Sequence, residues 1–275
     1  MERYNNGKPL RILAVGNSFS QDSVEYLPGI LRTAGIGCTV GDLYNPGCTM
    51  ERHLTSAAAG AGIYSYFKDS DGEWTERPGT GLAFALADEE WDVITIQEAS
   101  RRSGFSEFYR RDLAPLSELV SSAVPSAKIG WNMTWAYQSD SPNSHFPEYG
   151  RDQDRMYSMI RDCVKEFVTA DARISFVIPV GTAVQNARTS LIGDTLTRDG
   201  SHLSLILGRY LASLTWASAL TGIDAAALSA RSAPPEIAGD TLDAAVRAVS
   251  DAIASPFAVT RQDGAKLLPD RREPV

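Results

Sequence analysis

The stretch RILAVGNSFSQDSV, residues 11–24, passes from a charged residue through four apolar ones into Gly16, Asn17 and Ser18, then turns polar and acidic. An apolar run of that length closed by a glycine reads as a buried strand entering a tight turn. Gly, Asn and Ser are ordinary turn residues, so the turn alone is a structural feature. A serine displayed at the end of a buried strand is also where a nucleophile can stand, and the rest of the chain has to support that reading.

Strand-length apolar runs recur at 38–43, 92–96, 127–133 and 173–178, in addition to 11–15. Between them lie segments with helical spacing at 22–34, 50–59, 80–89, 108–123 and 152–170; two further helices are expected at 204–221 and 239–254, with the Pro-containing stretch 231–238 as a linker. Strands alternating with helices pair in parallel through right-handed crossovers. The expected fold is therefore α/β, a three-layer α/β/α sandwich around a five-stranded, mainly parallel sheet. One domain spans residues 1–260, residues 60–79 form an inserted hairpin or loop near the rim, and 261–275 form a polar tail. Ligands of such sheets bind beyond the carboxyl ends of the strands, which is where Gly16-Asn17-Ser18, Gln97-Glu98 and Asn132 fall.

Composition narrows the function. The 275 residues are 43% apolar and 22% charged, with a net charge of −8, and they lack the clustered Lys and Arg that phosphate neutralisation needs. A nucleic-acid partner is not expected. The start, MERYNNGKPLR, lacks the apolar core of a signal peptide, and no stretch reaches membrane-span length. The chain reads as soluble with no membrane partner, cytoplasmic if Met1 is native; compartment and oligomeric state stay open. Three dispersed cysteines, Cys38, Cys48 and Cys163, form neither a disulfide framework nor a CxxC metal site. His53 and His145 show no metal-binding pattern, so no metal or other cofactor is expected.

A serine hydroxyl needs a base, and the base needs an orienter. LTRDGSHLS, residues 196–204, supplies Asp199 and His202, three positions apart, in a stretch that follows the last expected strand. A tight turn there lets the carboxylate hold Nδ1–H while Nε2 faces outward, on a stretch that can sit on the same rim as Ser18; a Ser/Asp/Gly loop capping the following helix is the alternative. Donors for a developing oxyanion are usually backbone N–H groups at glycine turns. Gly47 in LYNPGCTMERH, residues 43–53, is one candidate, and the Gln97 amide is another; a plain Pro-Gly turn and a backbone-capping glutamine are the alternatives.

The order Gly-x-Ser after the first strand, a glycine after the second, an amide after the third and Asp-x-x-His near the end resembles the SGNH (GDSL-like) hydrolase superfamily. The segments GNSFS, WNMTWAYQ, GTAVQNARTS and LTRDGSHLS are similar to a bacterial branch of it, the domain of unknown function DUF4886. The resemblance covers about residues 10–222 and implies the flavodoxin-like SGNH hydrolase fold. It further implies Ser18 as nucleophile, His202 as base, Asp199 as orienter, and the Ser18 and Gly47 N–H groups as oxyanion donors. Two positions depart from the pattern: Asn17 stands where aspartate is usual, and Gln97 stands nearest the expected third-block asparagine. The function so implied is a serine hydrolase, without a substrate; the aromatic and polar side chains of WNMTWAYQ near the rim favour an acylated carbohydrate, so the expected activity is an esterase removing a small acyl group such as O-acetyl. The partner is then a small-molecule or oligosaccharide ester, with Trp135, Tyr137, Asn132 and Arg188 as substrate contacts. Alternatives are a lipid or thioester hydrolase on the same triad, and a noncatalytic carbohydrate-binding protein.

Overall fold

A computed structural model of the protein describes residues 8–262. Its centre is β1 (Leu10–Gly16), whose run of apolar side chains is buried on both faces, as expected for a strand covered by helices on each side. The turn at Gly16-Asn17 leads into α1 (Ser18–Val24), and α2 (Leu27–Thr33) follows after a break, with Pro28 in its first turn. The single helix expected over 22–34 is thus two short ones.

Four more parallel strands join β1. They are β2 (Cys38–Tyr44), β5 (Val93–Ile96), β6 (Lys128–Asn132) and β7 (Ile174–Ile178). Gly16 pairs with Tyr44 and Ile12 with Val93, so β1 lies between β2 and β5. Between β2 and β5 the chain forms α3 (Met50–Ala58), the hairpin β3 (Tyr64–Asp69) and β4 (Trp74–Thr80), and α4 (Leu82–Ala87). The sheet order is β4-β3-β2-β1-β5-β6-β7. Among the parallel strands this is the doubly wound order 2-1-3-4-5, which reverses direction beside β1.

The sheet therefore has seven strands instead of five. Residues 64–80 are the hairpin, and it extends the sheet antiparallel to β2. In β3 Tyr64 and Tyr66 face the core; β4, with Thr75 to Gly79 exposed, carries no apolar pattern to announce it.

The remaining helices are α5 (Ser106–Ala123), α6 (Gln153–Cys163, extended by a π-helical turn over Val164–Val168), α7 (Val180–Arg188), α8 (Leu207–Thr221), α9 (Ala225–Ser232) and α10 (Asp240–Ala254). Helices α3 to α6 pack on one face of the sheet; α1, α2 and α7 to α10 pack on the other. Buried Trp91, Trp131, Trp135 and Trp216 belong to one contiguous core. The GTAVQNARTS stretch, 181–190, is mostly α7, and most of it is buried. Of the tail expected over 261–275, Arg261 and Gln262 are described. Gln262 is tied down, its backbone N–H donating to Thr189 and its amide to Ala244 O of α10; the rest lies outside the described residues.

Candidate active site

Gly16 ends β1 under tight constraint. A Cβ there would lie 2.7 Å from Ser20 Oγ and 3.1 Å from Gln97 Cδ, so only a glycine lets the chain turn so close to these groups. Asn17 then caps α1, its Oδ1 accepting from the Phe19 N–H at 3.0 Å. Ser18 opens the helix with its side chain half-exposed at the carboxyl edge of the sheet.

The second part of the site is the loop 196–204. Thr197 and Leu203 form an isolated antiparallel bridge, and the N–H groups of Arg198 and Ser204 donate to His202 O and Leu196 O. The tip of this narrow loop carries Asp199 and His202. One oxygen of Asp199 accepts from the backbone N–H groups of Ser201 (2.9 Å) and His202 (2.8 Å), and the other accepts from His202 Nδ1 at 2.6 Å. His202 Nε2 stands 2.8 Å from Ser18 Oγ. Partial burial pulls the Asp199 carboxyl upward, but these donors outweigh it and hold its pKa below the usual carboxylate range. The imidazole is thereby fixed with Nδ1 protonated and Nε2 free to accept.

Asp22, one helical turn beyond Ser18, docks the loop. It is fully buried and takes the Leu203 N–H at 2.9 Å, Arg209 Nε at 2.8 Å and Arg198 Nη1 at 3.1 Å. Arg198 and Leu203 flank the Asp199–His202 tip, so one carboxylate links the serine helix to the histidine loop. Nothing in the sequence pointed to Asp22, because its partners lie more than 170 positions away.

Beneath the site runs a chain of buried amides. Trp216 Nε1 donates to Asn132 Oδ1 (3.2 Å), Asn132 Nδ2 to Gln97 Oε1 (2.7 Å), Gln97 Nε2 to Asn17 Oδ1 (2.9 Å) and Asn17 Nδ2 to Cys48 O (2.9 Å). Gln97 and Asn132 are each 1% exposed. The expectation that Gln97 supplies an oxyanion donor is therefore corrected: its amide is buried behind the serine turn with one N–H given to Asn17, and Asn132 is buried with it. Gly47 lies with Pro46 at the exposed tip of the Asn45–Cys48 turn, with φ +59, a conformation that favours glycine. Asn45 N–H donates to Gly16 O, which sets this turn beside the serine turn.

The other expected substrate contacts are also corrected. Trp135 is fully buried, stacked on Phe19 with centroids 4.0 Å apart, and its Nε1 donates to Ser201 O at 2.8 Å. It braces the neighbours of both Ser18 and His202 from inside. Tyr137 is buried with its hydroxyl 2.9 Å from Ser100 Oγ. The Arg188 side chain is 4% exposed and pairs with Asp194 at 2.8 Å. Aromatic and amide side chains near a strand end carry no sign of which face they occupy, and these occupy the inner one. His53 is buried against Tyr64, and burial lowers its pKa to about 4; His145 pairs with Glu148.

Comparison with known proteins gives the family and the fold. The family model of DUF4886, a domain of unknown function, matches residues 11–251. The crystal structure of a DUF4886 family protein from Bacteroides uniformis is similar, with 38% identity over 94% of this chain and 100% of that one, TM-score 0.89. A candidate SGNH hydrolase from Slackia heliotrinireducens shares the fold at 23% identity, covering 77% of this chain and 98% of that one, TM-score 0.53. A candidate GDSL-like lipase from Parabacteroides merdae does so at 16%, covering 80% and 99%, TM-score 0.53. No curated protein matches the chain.

Proposed function

The chain belongs to the DUF4886 family, and from that premise we propose that it is a serine esterase that removes a small acyl group, O-acetyl on a carbohydrate being the substrate class. The observation that carries this reading is the continuous hydrogen-bonded series Ser18–His202–Asp199 at the carboxyl edge of the sheet. A binding protein has no use for a serine whose hydroxyl faces an oriented imidazole.

In the mechanism, Ser18 Oγ attacks the acyl carbon while its proton passes to His202 Nε2. The imidazolium that forms is stabilised by Asp199 across the 2.6 Å contact. The Ser18 N–H, among the helix N–H groups left without an intrahelical acceptor, and the Gly47 N–H receive the oxyanion. His202 returns the proton to the leaving alcohol, and an acyl ester remains on Ser18. Water then gives its proton to Nε2 and its oxygen to the acyl carbon, which releases the acid and regenerates the serine.

The test is hydrolysis of p-nitrophenyl acetate and butyrate by the wild type, Ser18→Ala and His202→Ala, each checked for folding by circular dichroism. Acetate turnover lost in both folded variants supports the reading. Turnover that survives in both, or no turnover of these or any acetylated saccharide by the wild type, rejects it.

A further inference from the structure

Between α1 and the β3–β4 hairpin lies a cavity of about 210 Å³ lined by Gln21, Val24, Glu25, Asp42, Phe67 and Trp74. Gln21 and Glu25 follow Ser18 by three and seven positions, so they share the helix face that carries the serine, one to two turns or roughly 5–10 Å along it. A group held there would be connected to an acyl oxygen at Ser18 by only a few bonds.

One buried polar atom here lacks a partner, and two half-buried polar side chains, the Gln21 amide and the Trp74 indole, line the same space. Asp42, 1% exposed, has one carboxyl oxygen held by Ser20 at 2.8 Å and the other without any partner. A buried carboxyl oxygen left unmet costs free energy, and with a side-chain amide and an indole beside it the cleft suits a hydrogen-bonding occupant. The half-buried rings of Phe67 and Trp74 give that occupant apolar faces to pack against.

Charge decides among occupants. Glu25 is already paired with Arg209 Nη1 at 3.2 Å, and burial pushes the Asp42 carboxyl up to about 8, which keeps it neutral at physiological pH. A cation finds no free negative charge, and an anion finds no basic side chain among the lining residues. The volume equals about seven waters at ~30 Å³ each, room for one six-membered ring.

We propose that this cavity is the subsite for a single neutral pyranose ring in the alcohol part of the ester, packed on Trp74 and hydrogen-bonded through Gln21 and Asp42. This assignment rests on the esterase reading for its role, but sugar binding can be measured without catalysis.

Two variants, Trp74→Ala and Gln21→Ala, are compared with the wild type on p-nitrophenyl acetate and on mono-O-acetylated methyl β-xylopyranoside and methyl β-glucopyranoside. In both variants kcat/KM on the acetylated glycosides falls about tenfold or more, while p-nitrophenyl acetate changes less than about threefold. Losses that are equal on the two substrate types, or no loss on the glycosides, overturn the subsite. Saturation-transfer NMR with the unacylated methyl glycosides provides the second readout. The wild type gives a signal that both variants lose; no signal with the wild type, or a signal surviving both substitutions, also overturns it. A Trp74-dependent signal from a protein that hydrolyses no ester leaves the sugar site standing and removes the esterase reading.

Discussion

Asn17 carries three hydrogen bonds through one amide: its oxygen takes the Phe19 N–H and Gln97 Nε2, and its nitrogen gives to Cys48 O. An aspartate could accept the first two but could not donate the third, so this chain has a use for asparagine where the SGNH pattern has aspartate. Gln97→Ala leaves Asn132 Nδ2 without its acceptor and takes one of two donors from Asn17 Oδ1, which keeps the Phe19 N–H. The expected cost is about 1–3 kcal/mol in urea denaturation for the one unpaired buried group. Asp42 is the pH-sensitive residue. Ser20 Oγ contacts both Asn17 O and Asp42 Oδ1, and its single proton cannot serve both, so the neutral carboxyl supplies the other. The folded protein keeps that proton up to about pH 8, whereas an unfolded aspartate releases it near pH ~3.9, so stability from this group falls as pH rises through the window. Asp42→Asn keeps the donor and removes the titration. It should melt above the wild type near pH ~8.5, with the gap closing toward pH ~4.5; a gap independent of pH contradicts a buried neutral acid.

The element that matters most is the loop 196–204, whose position on α1 depends on Asp22. Asp22→Asn leaves Arg209 and Arg198 facing a neutral amide and weakens the Leu203 contact. Loss of one partner from such a buried cluster costs about 3–5 kcal/mol, readable as a drop in melting temperature. The same variant should lose turnover by more than its folded fraction accounts for, because His202 is then free to leave Ser18; kinetics at a temperature where both proteins are folded separates the two effects. The pairing of Asp199 with His202 was legible in the sequence because the two are neighbours along the chain. The loop's docking was not, since a carboxylate in SQDSV looks the same whether it faces water or two distant arginines. Trp135 and Tyr137 show the converse: the sequence placed them near the strand end but could not assign them a face, and burial decides against substrate contact.

At the scale of the whole molecule, the doubly wound order puts the serine turn where the sheet changes direction beside β1; the parallel sheet and the carboxyl-end position follow from alternating apolar runs, the strand order does not. That the hairpin expected over 60–79 extends the sheet was not legible, because β4 is an edge strand in which Glu76, Arg77 and Pro78 are exposed. Charges and proline there discourage pairing with another chain. Replacing Glu76 and Pro78 together by valine should increase self-association on size-exclusion chromatography relative to the wild type, and unchanged elution would show that β4 is protected in another way.

The proposed reaction requires Ser18 to be a nucleophile activated by His202. Incubation with a fluorophosphonate, followed by intact mass and peptide mapping, reads this directly and needs no knowledge of the natural substrate. One adduct is expected, on Ser18, formed far more slowly by folded His202→Ala; no adduct, an adduct elsewhere, or unchanged labelling of His202→Ala rules that role out.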